Sequence, residues 1–200
     1  MERIRSWIRE RDSSVLEISN RDTALIENSM LWTDKVSIRK TPHIIRGNCK
    51  KFKTGWSSRD DKETWNRWKE ETNGARTILT LGIWEGMDNI AQRRGAIDSI
   101  TKSANATGTI LYVVYWDSSK TAKIPKGSAG IQRKRGGHIV MSHGGQSYEL
   151  KVYPEDKILE EFSKQGWFPK EDSDATMDDI TGDDTLAQYM SVAVFHRIES

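Results

Sequence analysis

The stretch Thr109–Ser118, TILYVVYWDS, decides the fold expected for this chain, because an earlier stretch repeats its pattern. The earlier copy is Thr77–Gly86, TILTLGIWEG, and each copy is an apolar run that ends in Trp followed by an acid. Runs that are apolar at nearly every position are typical of strands that are covered on both faces of a sheet. The two acids, Glu85 and Asp117, lie 32 residues apart. The repeat therefore predicts two buried strands with equivalent ends.

The segment between the two strands predicts a helix. It reads MDNIAQRRGAIDSITKSANA, with Asp88 in the position of an N-terminal cap. Its apolar residues form a stripe and its basic residues lie off that stripe. The stripe consists of Ile90, Ala91, Ile97, Ile100 and Ala104. Strand, helix and strand over this length predict a parallel βαβ unit at 76–117 with a right-handed crossover.

The rest of the chain adds elements of both kinds. A short strand is expected at Val15–Ile18, a helix from Ser58 to Gly74, and a second helix that starts at Pro154. The arms HIVMS and QSYELKVY predict a β-hairpin. The fold class is thus α/β: a mixed sheet containing the βαβ unit, plus a β-hairpin and flanking helices. The expected organisation is a domain at 1–168, an acidic linker or mobile loop at 169–185, and a C-terminal strand or helix at 186–200 that docks on the domain.

Composition limits the class of protein. Cys49 is the single cysteine, which leaves no internal disulfide and no cysteine-based zinc site. The longest wholly apolar run, 110–116, is far too short to cross a membrane, and the charged start MERIRSWIRERD is unlike a secretory signal. We therefore expect an intracellular protein, in the cytoplasm or the nucleus, without membrane contact.

Charge is unevenly distributed along the chain. The formal net charge is +2, yet residues 171–200 contain eight acids against one arginine. Two long stretches, 35–59 and 118–148, contain bases but no acid. Such an asymmetry favours contact with a polyanion, although lysines on strand edges also serve simply to prevent aggregation.

The basic stretches lead to the first functional hypothesis, a nucleic-acid-binding protein that favours RNA or single strands. Bases neutralise phosphates, and aromatic side chains placed among them stack on unpaired bases. The expected phosphate contacts are Lys50, Lys51, Lys53, Arg133, Lys134 and Arg135, and the expected stacking residues are Phe52 and Trp56. A structural subunit of the coat or nucleoprotein kind, with a homo-oligomeric assembly, is an alternative that uses the same residues.

The paired strand ends lead to the second hypothesis, a Mg²⁺-dependent nuclease. If the two strands are neighbours in register, Glu85 and Asp117 emerge together at the carboxyl edge, where open α/β sheets bind ligands. Two close carboxylates share a proton or hold a hard cation, and the metal would activate water against a phosphodiester. The alternative is that the acids simply follow strands, and that a third strand separates the two.

Two family resemblances accompany the nuclease hypothesis. Asp117 with Glu149-Leu150-Lys151 resembles the PD-(D/E)xK nuclease pattern, which implies metal-binding acids and a lysine that polarises the nucleophile or the phosphate; here no Pro precedes the Asp. The run VVYWDSSK, followed by GSAGI and HIVMS, resembles the first three strands of the ribonuclease H-like fold. That resemblance implies Asp117 as the first acid and Glu155 as the second. The phosphate-binding loops GxGxxG and GxxxxGK[ST], the GxSxG elbow and the HExxH zinc motif are absent from the sequence.

Overall fold

The computed structural model describes residues 15–19 of the N-terminal region and most of the chain after residue 76. The described residues are 15–19, 77–81, 83–87, 89–104, 108–128, 130–143, 146–171 and 187–197. The helix expected from Ser58 and the basic stretch 35–59 lie outside the described residues. So does the predicted acidic linker at 169–185, apart from residues 169–171.

Two sheets and three helices make up the described part. A five-stranded sheet has the order β1-β2-β3-β8-β7, and a three-stranded antiparallel sheet has the order β4-β5-β6. The strands are β1 (Val15–Ser19), β2 (Thr77–Leu81), β3 (Thr109–Trp116), β4 (Ile131–Lys134), β5 (His138–His143), β6 (Gln146–Lys151), β7 (Phe168–Pro169) and β8 (Met190–Arg197). The helices are α1 (Ile90–Ser103), α2 (Ser118–Thr121) and α3 (Glu155–Ser163), with short 3₁₀ turns at Trp84–Gly86 and Ala187–Tyr189.

The predicted βαβ unit is confirmed. β2 pairs with β3 in parallel, β1 pairs with β2 in parallel, and α1 connects β2 to β3. The cap of α1 is Asn89 rather than Asp88, since the Asn89 side chain accepts a hydrogen bond from the backbone N–H of Gln92. The buried face of α1 also differs from the expected stripe. Ile97 and Ile100 are buried as expected, whereas Ile90 is 40% exposed.

The central strand β3 is covered on both faces, as its apolar run indicates. On one face α1 and α3 pack against Leu111, Val113 and Tyr115 of β3. On the other face the three-stranded sheet packs against the alternate residues of β3, namely Tyr112, Val114 and Trp116. β3 is therefore buried from both sides, and its alternating side chains build two separate cores.

The predicted β-hairpin is confirmed as β5 and β6, which pair from His138 with Lys151 to His143 with Gln146. Strand β4 adds to the outer side of β5 and completes the second sheet. The C-terminal element, expected as a strand or a helix, is the strand β8. It pairs antiparallel with β3 along its whole length, so it lies inside the main sheet.

A buried ion pair connects the two helices that cover the sheet. Arg93 of α1 and Glu161 of α3 are 6% and 5% exposed. The Arg93 guanidinium makes two hydrogen bonds to the Glu161 carboxylate, at 2.6 Å from Nε and 2.8 Å from Nη2. Its Nη1 donates to the carbonyl of Met87 at 3.0 Å. The pair thus links α1, α3 and the turn that follows β2.

Tyr153 strengthens the same connection. Its hydroxyl lies 3.0 Å from the carbonyl of Trp84 and 2.6 Å from that of Met87, and Cζ of Arg93 lies 5.3 Å from the centre of its ring. Its backbone is paired beside Asp117 at the end of β3. We call Arg93, Glu161 and Tyr153 the clamp, because together they fix the turn Trp84–Gly86 against the end of β3.

Removal of one charge from the clamp is expected to destabilise the fold strongly. Glu161→Gln leaves Arg93 buried without a counter-charge, which costs about 3–5 kcal/mol in comparable buried pairs. Removing both charges, as in Arg93→Met with Glu161→Met, should recover most of that loss, since the desolvation cost disappears with the attraction. Urea unfolding of Arg93→Met, Glu161→Met and the double variant measures this coupling. Additive losses in the double variant would contradict it.

Candidate functional site at the carboxyl edge of the parallel strands

The register of β2 and β3 decides how the two acids relate. Thr77 pairs with Ile110 and Thr80 with Val113, which is an offset one residue longer than the offset between Glu85 and Asp117. The strands are direct neighbours as predicted, but continuing this register places Trp84, not Glu85, level with Asp117. Because side chains alternate along a strand, a shift of one residue changes the face on which a side chain emerges. The two acids therefore do not emerge as equivalent residues.

Asp117 caps α2. Its Oδ1 accepts hydrogen bonds from the backbone N–H and hydroxyl of Ser119, both at 2.7 Å, and its Oδ2 accepts from the hydroxyl of Ser191 at 2.7 Å. Burial alone would raise the pKa of Asp117, but these hydrogen bonds and the backbone N–H of Lys120 together hold the pKa below its ordinary value. Asp117 is an ionised, fully engaged cap that ties α2 to β8.

Glu85 is in a different environment. It lies in the 3₁₀ turn after β2 and is 3% exposed. Burial raises the pKa of Glu85 from 4.5 to about 7, and the nearby backbone N–H groups and the Trp116 indole only partly oppose that rise. Neither carboxylate oxygen has a hydrogen-bond partner of normal geometry among the described residues. Burial therefore favours the protonated form of Glu85 over the charged form, compared with an exposed glutamate at the same pH.

Two further buried polar atoms near the end of β3 share this property. The hydroxyl of Tyr115 and Nε1 of Trp116 are buried and have no partner of normal geometry within the described part of the chain. A buried polar group without a partner costs about 1–3 kcal/mol, so such groups concentrate where a ligand supplies the partner. Tyr115 and Trp116 lie on opposite faces of β3, and only the Trp116 indole acts on the pKa of Glu85. The candidate site is therefore defined by the Glu85 carboxyl group and the Trp116 indole N–H.

The Glu149-Leu150-Lys151 triplet is on β6, in the antiparallel sheet. Glu149 forms an exposed ion pair with Lys134 of β4, with 3.1 Å between Oε2 and Nζ. Nζ of Lys151 donates to the carbonyl of Gly136 at 3.2 Å. Both side chains are thus engaged within their own sheet, whereas Asp117 is engaged with α2 and β8.

The predicted nucleic-acid contacts fall into two groups. Lys50, Lys51, Phe52, Lys53 and Trp56 lie outside the described residues. Arg133, Lys134 and Arg135 lie at the end of β4 and in the turn that follows it, and all three are exposed. Arg133 and Lys134 are on the outer strand of the second sheet, and Arg135 is in the turn that leads to β5.

The predicted magnesium site has no support in the described residues. They contain no group of three or more His, Cys, Asp or Glu side chains placed to hold a metal ion. The structure also shows, for the same residues, no helix long and apolar enough to cross a membrane.

Solved structures share this fold. A sugar N-methyltransferase from a Streptoalloteichus species aligns over 98% of this chain and 85% of its own, with a TM-score of 0.54 and 13% identity. An amino pentose methyltransferase from Micromonospora echinaspora aligns over 98% and 89%, with a TM-score of 0.53 and 10% identity. A S-adenosylmethionine-dependent methyltransferase from Clostridium acetobutylicum aligns over 98% and 90%, with a TM-score of 0.53 and 5% identity. Identities this low show a common fold and no more.

Sequence comparison adds no family. No protein-family profile matches the chain, and no curated protein is significantly similar to it.

The structural comparisons correct the predicted function. The chain shares the architecture of methyltransferases, so the predictions of a nucleic-acid-binding protein, a Mg²⁺-dependent nuclease and a coat or nucleoprotein-like subunit are wrong. The resemblances to the PD-(D/E)xK and ribonuclease H-like families fail with them. The physical reason is that bases without acids indicate attraction for anions, but not an architecture.

The sequence predicted neither the clamp nor the burial of Glu85 without a hydrogen-bond partner of normal geometry among the described residues. Arg93 and Glu161 are 68 residues apart, and neither stands in a local pattern that distinguishes it from an exposed helical charge. The sequence does contain a signal for the burial of Glu85. This residue follows an apolar run, and the nearby Trp84 and Met87 are apolar.

Glu85→Gln is expected to stabilise the protein at alkaline pH. Since the pKa of Glu85 is raised from 4.5 to about 7, the folded state binds more protons than the unfolded state between these values, and stability falls as pH rises through this window. The loss, complete above the folded pKa, amounts to about 3 kcal/mol, because one pKa unit corresponds to about 1.4 kcal/mol. Urea unfolding at pH 8 and pH 5 should therefore show a gain for the variant that is much larger at pH 8.

The matched control is Glu149→Gln, which removes an exposed carboxylate. Its effect on stability should be small at both pH values, as for other exposed ion pairs. Equal pH dependence of wild type and Glu85→Gln would show that the Glu85 carboxyl group titrates normally.

Proposed function

We propose that this protein is a methyltransferase that takes the methyl group of S-adenosylmethionine and transfers it to an amine of a small molecule. The supporting observation is the fold, which aligns over 98% of the chain with a sugar N-methyltransferase and an amino pentose methyltransferase. In open α/β sheets, ligands bind outside the carboxyl ends of the parallel strands. In this chain that edge is formed by the ends of β1, β2 and β3.

The residues at this edge fit such a cofactor and acceptor. S-adenosylmethionine, when bound, would supply a methyl group on a positively charged sulfur. Glu85 is a buried carboxyl group without a partner of normal geometry in the described residues, and a cation or an N–H donor is what such a group lacks. Gly86, next to Glu85, is exposed, so the turn that carries Glu85 reaches the surface. Among the described residues, the turn Trp84–Gly86, which contains Glu85, would hold the ligands.

The chemistry assigned to Glu85 is proton acceptance. An amine that arrives as an ammonium ion must lose a proton before its lone pair is available for bond formation. A base performs this best when its pKa lies near the working pH, and the pKa of Glu85 is about 7. An Oε atom of Glu85 would take the proton, while the clamp holds the turn in place and the two cores exclude water from it.

A second candidate function is binding of a small ligand on this fold without methyl transfer. It is favoured by the residues after β1, which read NRDTALIENS and contain no glycine. Glycines at this turn allow the backbone to approach a ligand closely, and other residues keep it further away.

Calorimetric titration of the full chain with S-adenosylmethionine and with S-adenosylhomocysteine tests the proposal. We expect binding of both with one site per chain and dissociation constants of about 1–100 μM, corresponding to roughly 5–8 kcal/mol. Incubation with isotopically labelled S-adenosylmethionine and a panel of amino sugars should then place the label on an acceptor nitrogen. Absence of binding would contradict methyl transfer from S-adenosylmethionine, and binding without labelled product would favour the second candidate.

The pH dependence of the rate tests the role of Glu85. The wild-type rate should rise with pH through about 7, because only the ionised carboxylate accepts a proton. Glu85→Gln should lower the rate by about 10²–10⁴-fold, a typical contribution of a general base, with cofactor binding retained. Glu149→Gln is the control and should keep the wild-type profile. An unchanged profile in Glu85→Gln would contradict the assigned role.

A further inference from the structure

A groove on the second sheet shares no lining residue with the candidate site at Glu85. Its volume is about 640 Å³, and it lies between the loop that follows α2 and the turn that joins β4 to β5. Pockets of about 300–1,000 Å³ are the usual size of small-molecule sites. The described residues thus contain a cavity large enough for a ligand.

The rim of the groove is basic. Its lining residues include five basic side chains and no acid: Lys126, Arg133, Lys134, Arg135 and His138. Lys134 is partly neutralised by Glu149, whereas Lys126 and Arg135 have no ion-pair partner among the described residues. The groove therefore carries a net positive charge that the described protein does not balance.

One of these side chains is held in place. Nη1 of Arg133 donates to the carbonyl of Ala122 at 3.0 Å, across the loop that forms the opposite wall. This contact positions the guanidinium while leaving its other N–H groups available. An oriented guanidinium binds the oxygens of a phosphate or carboxylate in a two-point contact.

The turn between β4 and β5 is also fixed. Gly136 and Gly137 have φ values of +81° and +74°, a conformation that other residues rarely adopt. The carbonyl of Gly136 accepts the hydrogen bond from Nζ of Lys151. The turn that carries Arg135 thus has a defined backbone, and the basic rim is preorganised.

The floor of the groove is apolar. It includes Ile124, Ile139 and Val152, which are 6%, 1% and 8% exposed and belong to the core beneath the second sheet. A basic strand edge that serves only solubility needs no such floor. An apolar floor with a basic rim matches a ligand that has a ring or other apolar body and an anionic group.

We propose that this groove binds a small phosphorylated molecule, with its phosphate on Arg133, Arg135 and Lys126 and its apolar body over Ile124 and Ile139. The phosphate is favoured over a carboxylate because several bases line the groove, and a phosphate ester carries up to two negative charges to meet them. The proposal concerns binding alone and does not depend on methyl transfer at the carboxyl edge.

Three probes separate the parts of the ligand: phenyl phosphate, inorganic phosphate and phenol. Calorimetric titration of the full chain should show one site for phenyl phosphate, with at least about tenfold higher affinity than for either fragment, since one good ionic contact is worth at least that factor. Arg133→Gln and Lys126→Gln should each weaken phenyl phosphate binding by about tenfold. Lys126 makes no described contact, so its variant reports on binding even if Arg133→Gln disturbs the loop.

Lys170→Gln is the matched control, because it removes an exposed base outside the groove lining. It should leave phenyl phosphate affinity unchanged, and all three variants should keep their affinity for S-adenosylmethionine if that cofactor binds. Equal losses in Lys170→Gln and Lys126→Gln would show general attraction for anions and overturn the proposal. Lack of phenyl phosphate binding at about 10 mM, the range of the weakest specific ligands, would also overturn it.

Discussion

The clamp of Arg93, Glu161 and Tyr153 is the interaction on which the carboxyl edge depends. The guanidinium and the tyrosine hydroxyl together bind the carbonyl of Met87, and the hydroxyl also reaches the carbonyl of Trp84. Backbone carbonyls in a buried turn need partners, because an unpaired buried polar group is costly. Arg93 and Tyr153 supply these partners for the carbonyls of Trp84 and Met87. The Arg93–Glu161 ion pair is itself satisfied by two hydrogen bonds. These hydrogen bonds hold the turn after β2 in a defined position.

This fixed turn explains how Glu85 can remain buried without a partner of normal geometry in the described residues. Trp84, immediately before it, packs edge-on against Phe162 at 5.2 Å between ring centres, and Phe162 stacks on Phe195 at 4.6 Å. These aromatic contacts and the clamp hold the backbone, so the carboxyl group cannot escape to water without disrupting both. The energetic cost of burying a carboxylate therefore raises the pKa of Glu85. A carboxyl group in this state is suited to accepting a proton.

The basic residues of the second sheet indicate the charge of the ligand that is attracted, but not its size or shape. The acid-free stretch 118–148 supplies exposed bases, and several of them line one groove on the second sheet. Net charge determines which sign of ligand is attracted. Shape determines whether that ligand is a polymer or a small molecule, and shape arises from the pairing of β4, β5 and β6.

Local chemistry was sufficient for the βαβ unit, the β5–β6 hairpin and α3, because apolar runs, turn residues and helix signals act between near neighbours in the chain. Tertiary contacts decided the remainder. The pattern of residues 187–197 fits a strand or a helix equally, and only pairing with β3 makes it β8. The register of β2 and β3 differs by one residue from the repeat in their sequences, since packing of the two cores selects it. Arg93 meets Glu161 and Asp117 meets Ser191 across long stretches of chain, so their charges acquire a role only when the layers assemble.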